Sequence, residues 1–92
     1  MKELEAEVIH AVGLHARPAA RFVKIAKGFS AEIQIRNLTR NGEFVNAKSL
    51  ARVVKIAVAQ HHKVHITAVG EDEEKAIQAL EEFLTSFPEN QE

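Results

Sequence analysis

The stretch GLHARPA at residues 13–19 lies where the hydrophobic pattern of the chain changes. Before it, residues 2–9 alternate between apolar and acidic side chains, which predicts a half-buried strand. After it, apolar residues recur at the spacing of a helix, and Pro18 is a residue that favours the first helical turn. We therefore predict a helix that begins between Ala16 and Pro18, with His15 just outside its entrance.

The rest of the chain continues this succession of strands and helices. Alternating side chains predict strands at residues 31–36, 43–47 and 63–69, and Asn41-Gly42 is a hairpin turn signal between the first two. Ser49 has the position of an N-cap before a second helix, whose apolar side chains extend from Leu50 to Ala59. Acidic residues 71–74 precede a third helix, which is expected to end at Pro88. The order β-α-β-β-α-β-α predicts an α+β fold, with a four-stranded, mainly antiparallel sheet and three helices on one face.

The composition is that of one small globular domain. The chain has 92 residues, of which 46% are hydrophobic, and it has no cysteine, which excludes disulfides and thiolate metal sites. A formal net charge of -1 gives no global field for nucleic acid or an anionic membrane, and no apolar run approaches the roughly 20 residues of a membrane span. We expect a single cytoplasmic domain at residues 1–88 and a mobile tail at residues 89–92, with no nucleic-acid or membrane partner.

Three histidines near the C-terminal half of the chain raise the question of a metal site. His61 and His62 are adjacent, His65 lies on a predicted strand, and we expect no acidic residue to accompany the group. A solvated or edge cluster is the simpler interpretation of such a group. We therefore predict no metal site.

His15 is the candidate for chemistry. The entrance of a helix has backbone N–H groups without intrahelical partners and a partial positive charge, and both favour a phosphate. A ring nitrogen of a histidine at this place can attack phosphorus, and Arg17 can then bind the phosphoryl group. The sequence has no glycine-rich nucleotide loop and no obvious acid–base partner for His15. The pattern favours a carrier that receives and passes on a phosphoryl group over a hydrolytic enzyme.

The same residues resemble the active-site signature of the HPr family, the histidine-containing phosphocarriers of the bacterial phosphoenolpyruvate-dependent phosphotransferase system. The similarity continues, in order, through FVK at 22–24, KGF at 27–29, NG at 41–42, AKSL at 47–50 and GEDE at 70–73. The resemblance implies an open-faced β-sandwich, which agrees with the element order predicted above.

The resemblance also implies a function. Enzyme I, charged from phosphoenolpyruvate, would pass its phosphoryl group to Nδ1 of His15, and His15 would pass it to the IIA domain of a sugar permease. Arg17 would orient and neutralise the group. Such a protein is a carrier and not an enzyme in its own right, and it needs no cofactor.

A docking surface for these partners is expected on the first two helices. The basic residues of the first helix could simply be a solvated face, but in proteins similar to HPr this face and the second helix meet acidic, apolar-rimmed partners. The predicted partner-binding residues are Ala16, Arg17, Arg21, Lys24, Lys27, Leu50, Ala51, Val54 and Lys55.

Three alternatives stay open at the level of the sequence. The first is regulation of a carrier through Ser49, because the matching serine is phosphorylated by a regulatory kinase, and restored by a phosphorylase, in many Gram-positive members of the family. The second is a purely regulatory module similar to Crh, which would act through Ser49, although Crh lacks the active histidine that His15 supplies. The third is a nitrogen-branch carrier, because the long hairpin around residues 37–41 resembles NPr, the nitrogen-branch relative, whereas residues 48–50 favour the sugar branch.

Overall fold

The computed structural model describes residues 1–9 and 13–85. The elements in chain order are β1 (Lys2–Glu7), α1 (Ala16–Lys27), β2 (Glu32–Asn37), β3 (Val45–Asn46), α2 (Leu50–Lys55), β4 (Lys63–Val69) and α3 (Glu73–Thr85). This is the predicted order, and the fold is the predicted open sheet with three helices.

The four strands form one sheet in the spatial order β1-β4-β2-β3, and every neighbouring pair is antiparallel. Strand β4 lies at the centre of the sheet and alternates as its sequence predicts, with Val64, Ile66 and Ala68 buried and the residues between them turned to the other face. The inward side chains of β2, Ile33 and Ile35, are buried beside them. One face of the sheet therefore forms the floor of the core, and the other is open.

The helices cover the inner face with the side chains that share helical spacing. Helix α1 buries Ala19, Phe22, Val23 and Ala26, and helix α3 buries Ala76, Leu80 and Leu84. The rings of Phe22 and Phe83 are 6.5 Å apart between centroids and join the two helices. Full burial of each large apolar side chain contributes about 1.5–3 kcal/mol, so these layers supply most of the stability that positions the loops.

Strand β3 is shorter than predicted, since only Val45 and Asn46 pair with β2 and not the whole of residues 43–47. The hairpin loop explains the difference. A hydrogen bond from the Gly42 N–H to the Asn37 carbonyl at 2.9 Å closes the turn. Residues 43 and 44 still belong to the loop, so pairing with β2 begins at Val45. Phe44 stays on the open face, where it contacts the ring of His65 on β4 and the guanidinium of Arg36 on β2, and Val45 packs toward the core.

Helix α2 is also shorter than its apolar pattern predicts. The pattern continues to Ala59, but the helix ends at Lys55, and Ala57 adopts a left-handed conformation with φ of 54°. This turn buries Val58 in the core and aims its carbonyl at the Leu14 N–H, 2.8 Å away. The apolar residues after Lys55 therefore belong to a turn and do not extend the apolar face of the helix.

Some predictions fall outside the described residues. The end of the third helix at Pro88 and the tail at residues 89–92 lie there, and the domain boundary at residue 88 stays a prediction. Within residues 1–9 and 13–85, no helix has the length and apolar character needed to cross a membrane.

Candidate functional site

His15 stands at the entrance of α1, as the sequence predicts. It is the N-cap residue, with an extended backbone (φ of -126°, ψ of 160°), and its side chain is exposed and makes no capping bond to the helix. Its carbonyl accepts the first helical bond, from the Ala19 N–H at 3.5 Å. The imidazole is therefore presented to solvent at the helix entrance and is not used to hold the helix.

A backbone kink follows directly. Ala16 has φ of 51°, a left-handed conformation that costs an alanine about 1–2 kcal/mol. The kink turns the chain from the extended His15 into the helix, and the first-turn N–H groups of Ala16 and Arg17 are of the kind that have no intrahelical partner. Pro18 has no N–H to place there.

The loop before His15 is held by the turn that follows α2. Leu14 is fully buried, and its N–H donates to the carbonyl of Val58 at 2.8 Å. Gly13 has φ of 68° and lies so close to the turn that a Cβ would stand 2.1 Å from the Val58 oxygen and 2.7 Å from Cα of Ala59. Only glycine fits this approach. His15 is thus fixed between a core helix on one side and the turn at residues 57–59 on the other.

The entrance of α1 has basic residues near it and no acidic residue in the first helical turn. Helix α1 has no acidic residue in its first turn, and Arg17 and Arg21 are exposed near it. Lys24 and Lys27 lie at the other end of the helix, in its last turn, where cations suit the helix dipole. A phosphoryl group on His15 would meet the partial positive charge of the entrance without a competing carboxylate from the first turn of the helix.

The predicted partner-binding residues all lie at the surface. Helices α1 and α2 pack against each other, and each of the predicted residues on them is exposed, namely Ala16, Arg17, Arg21, Lys24, Lys27, Leu50, Ala51, Val54 and Lys55. Two of these are large apolar side chains, Leu50 with 45% and Val54 with 37% of its surface exposed. The two helices thus form a mixed basic and apolar surface, which we call the α1–α2 surface.

Ser49 is the N-cap of α2, as predicted. Its Oγ accepts a hydrogen bond from the Arg52 N–H at 3.3 Å, and its side chain is half-buried. The neighbouring Lys48 donates from Nζ to the Phe29 carbonyl at 2.7 Å, which joins the start of α2 to the end of α1. Ser49 therefore has a structural role and lies beside the exposed Leu50.

The histidine group differs from its sequence interpretation in one respect. The view that no acid accompanies it is wrong, because Nδ1 of His61 lies 2.7 Å from Glu7 and Nε2 of His65 lies 2.8 Å from Glu3. These glutamates belong to β1, and the sequence does not reveal that β1 pairs with β4. Among the described residues, no three His, Cys, Asp or Glu side chains are grouped as a metal would require.

Among residues 1–9 and 13–85, two carboxylates have a lowered pKa, and both lie at the start of α3. The backbone N–H of Ser30, at 2.8 Å from Oδ2, lowers the pKa of Asp72. The backbone N–H of Gly70, at 3.0 Å, lowers the pKa of Glu73, which also pairs with the N-terminal ammonium group of Met1. Both groups stabilise the fold and take no part in the loop of His15.

The supporting role of the turn at residues 57–59 is not evident from the sequence. The apolar pattern predicts these residues as part of a helical stripe, and nothing near them in the chain connects them to His15. The signal that was present is Gly13, since a glycine beside a candidate site residue indicates close approach of another backbone.

Comparisons with known proteins agree with this geometry. The family model described as "PTS HPr component phosphorylation site" matches residues 2–86. The phosphocarrier protein HPr of Buchnera aphidicola from Acyrthosiphon pisum is 48% identical over 75 residues, which cover 82% of this chain and 85% of that protein. The crystal structure of HPr-C-His from Thermoanaerobacter tengcongensis superposes with a TM-score of 0.86 at 42% identity, covering 91% of each chain.

Larger proteins also contain a similar segment. The multiphosphoryl transfer protein of Haemophilus influenzae is 47% identical over 68 residues, which cover 74% of this chain. The match spans only 14% of the length of that relative.

Proposed function

Because the chain belongs to the HPr family of phosphocarrier proteins, we propose that it carries a phosphoryl group on His15 within the phosphotransferase system. The position of His15 supports this proposal most. Its imidazole is exposed on an extended N-cap residue, at the entrance of a helix whose first turn has no acidic side chain. Such an entrance favours a group that gains negative charge.

The proposed reaction is a direct transfer between proteins. The lone pair of Nδ1 of His15 attacks phosphorus as the bond between phosphorus and enzyme I breaks, and the same step runs onward to the acceptor on a IIA domain. The transferred group keeps its charge, so catalysis depends on positioning and on charge stabilisation. The chain therefore acts as a carrier, with two transfer half-reactions and no cofactor.

Arg17 is proposed as the residue that binds the phosphoryl group. It is exposed in the first turn of α1, two residues from His15. A charge-assisted hydrogen bond from a guanidinium contributes about 1.5–3 kcal/mol when it is well aligned. Arg17→Lys keeps the charge but loses the planar fork, so the phosphorylated Lys variant should hydrolyse faster than the wild type in a time course of phosphohistidine loss.

The α1–α2 surface is proposed as the docking site for enzyme I and for IIA domains. Its exposed apolar side chains would give affinity, and its cations would steer the encounter, so the association rate with enzyme I should fall steeply with salt. Leu50→Asp should weaken binding about tenfold or more, as for a central apolar contact. Val69→Asp is the matched control, because Val69 is 49% exposed at the end of β4. Equal effects of the two variants would exclude this surface.

We place the carrier in the sugar branch, with transfer to the IIA domains of sugar permeases, on the likeness of residues 48–50. A nitrogen-branch carrier is the alternative, and the long loop between β2 and β3 favours it. Parallel transfer from the phosphorylated chain to IIA proteins of each branch separates the two: the faster acceptor identifies the branch. A cytoplasmic location stays a prediction.

Regulation through Ser49 also stays a prediction. A phosphate there would be stabilised by the start of α2 and would lie beside Leu50 on the docking surface, where it would weaken partner binding. The capping bond to Arg52 is a sufficient reason for the serine by itself. Incubation with a serine kinase of this system and ATP, followed by mapping of the phosphorylated residue, tests it; a matching phosphorylase should reverse the modification.

The experiment that tests the proposed function is phosphorylation by enzyme I and phosphoenolpyruvate, followed by intact-mass measurement. The wild type and His65→Ala should gain one phosphoryl group, and His15→Ala should gain none. His65 is a suitable control because it lies on β4 and pairs with Glu3 on the open face. A His15→Ala protein that is labelled as fully as the wild type would reject the proposal.

A further inference from the structure

A buried asparagine at the end of β2 is bonded to the turn that supports His15. Asn37 is 1% exposed, and its Nδ2 lies 3.1 Å from the carbonyl oxygen of Ile56 and 3.3 Å from that of Ala57. Its Oδ1 accepts from the Arg40 N–H at 3.2 Å. The nitrogen faces carbonyls and the oxygen faces an N–H, so the orientation of the amide is determined by its partners.

His62 completes this network from the other end of the turn. Its Nδ1 lies 3.1 Å from Nδ2 of Asn37 and 3.1 Å from the backbone nitrogen of Ala59. A backbone N–H can only donate, so Nδ1 must be the acceptor and carries no hydrogen. The ring is therefore the neutral tautomer with its hydrogen on Nε2. The N–H of His62 also donates to the Ala59 carbonyl at 3.0 Å, which closes the turn.

The segment held by these bonds is the one against which the loop of His15 rests. Asn37 binds the carbonyl of Ala57 and His62 binds the N–H of Ala59, so the network holds the residues on both sides of Val58. The Val58 carbonyl accepts from the Leu14 N–H. Ala57 is left-handed with φ of 54°, a conformation that persists only where the surroundings enforce it.

We propose that His62 is a positioning residue for phosphoryl transfer, acting through its unprotonated Nδ1. This inference rests on the proposed function of His15. Loss of the acceptor leaves the Ala59 N–H without its partner and removes one partner of the Asn37 amide. The turn then loosens, and Gly13 and Leu14, which rest on it, no longer hold His15 in one place. The α1–α2 surface is unchanged, so the turnover of transfer falls while affinity for the partner stays.

The decisive variants differ in whether they keep an acceptor at the position of Nδ1. His62→Asn places Oδ1 close to that position, whereas His62→Leu has no acceptor and His62→Gln carries its amide one bond too far. His61→Asn is the matched control, because His61 is exposed and its imidazole forms a hydrogen bond with Glu7. Asparagine also tolerates the positive φ of 73° at that residue.

The kinetic experiment measures kcat and KM for phosphorylation of the full chain by enzyme I charged from phosphoenolpyruvate. His62→Leu and His62→Gln should lose roughly ten- to a hundredfold in kcat with KM unchanged, as expected for a displaced reacting group. His62→Asn should stay within about threefold of the wild type, and His61→Asn should be unaffected. If His62→Leu does not fold, His62→Gln carries the comparison.

A second measurement is independent of phosphotransfer. Long-range proton–nitrogen NMR of the wild type should show an unprotonated Nδ1 and a protonated Nε2 in His62, and amide exchange at Leu14 should be faster in His62→Gln than in His62→Asn. If both hold while no form of the chain accepts a phosphoryl group, the positioning of the loop stands and the proposed function fails. The inference is overturned if Nδ1 is protonated, if His62→Gln keeps the wild-type kcat, or if His62→Asn loses as much as His62→Gln.

Discussion

Replacement of Gly13 by alanine is the sharpest perturbation of the loop that carries His15. The new Cβ would lie 2.1 Å from the carbonyl oxygen of Val58 and 2.7 Å and 2.9 Å from two backbone atoms of Ala59. All three contacts are with backbone, so no side chain can rotate away to make room. The residue also has φ of 68°, which alanine adopts only with strain.

The magnitude follows from these two effects. Forcing an extra methyl group into a packed site costs about 1–3 kcal/mol. The left-handed backbone adds about 1–2 kcal/mol for a residue with a Cβ. We therefore expect Gly13→Ala to lose about 3 kcal/mol of unfolding free energy. For a domain of this size that loss corresponds to a fall in Tm of roughly 12–24 °C.

The assay is thermal and denaturant unfolding of Gly13→Ala beside Gly42→Ala. Gly42 is the matched control, because a Cβ there would meet nothing nearer than the Asn37 oxygen at 3.6 Å, an ordinary contact. Gly42→Ala should stay within about 1 kcal/mol of the wild type. The Leu14 amide should also exchange faster in Gly13→Ala, since its bond to Val58 cannot form with the loop displaced.

The result that would refute this reasoning is a Gly13→Ala protein whose Tm and Leu14 protection match those of Gly42→Ala. The loop of His15 would then not rest on the turn at residues 57–59. The inference about His62 would lose its physical connection to His15 at the same time.

Two further predictions concern other parts of the fold. His61→Gly should relieve the strain of a left-handed backbone with φ of 73°, which costs a residue with a Cβ about 1–2 kcal/mol. Because glycine has the greater chain entropy when unfolded, we expect the net gain in unfolding free energy to be about 0.5–1 kcal/mol. This gain corresponds to a rise in Tm of roughly 2–8 °C. The measurement is made in a Glu7→Ala background, so that the contact between His61 and Glu7 is absent from both proteins, and an unchanged or lower Tm would be inconsistent with the strain. The backbone N–H of Ser30 lowers the pKa of Asp72 in the folded chain. The ionised carboxylate therefore stabilises the fold at any pH above the pKa of an ordinary aspartate, and this contribution is lost as the pH falls through the lower pKa of the folded chain. Asp72→Asn should therefore be less stable than the wild type at neutral pH, with the difference narrowing in acid; a difference that is constant with pH would count against this account.

Local patterns in the sequence predicted the features that depend on neighbouring residues. The alternation around Val64 predicted the central strand, Pro18 and the residues after it predicted where α1 begins, and Ser49 predicted the start of α2. The site residue His15 could be found in the same way, because a histidine before a helix entrance has chemical meaning by itself. Each of these features is determined within about one turn of helix or one strand.

The features that the sequence did not predict depend on contacts between distant parts of the chain. Helix α2 ends early because Val58 is needed in the core and its carbonyl is needed by Leu14, more than 40 residues earlier. His65 has an acidic partner in Glu3, 62 residues away, only because β1 pairs with β4. The contact between Asn37 and His62 spans 25 residues and follows from the same sheet topology. Periodicity alone carries no information on such pairs.

The central claim is that His15 carries the phosphoryl group on Nδ1. The most direct measurement is proton–nitrogen–phosphorus NMR of the nitrogen-labelled chain after phosphorylation by enzyme I and phosphoenolpyruvate. We predict a single phosphorus–nitrogen coupling, to Nδ1 of His15, with the other histidine rings and Ser49 unmodified. A phosphoryl group on Nε2 of His15, on any other histidine or on Ser49 would contradict the account.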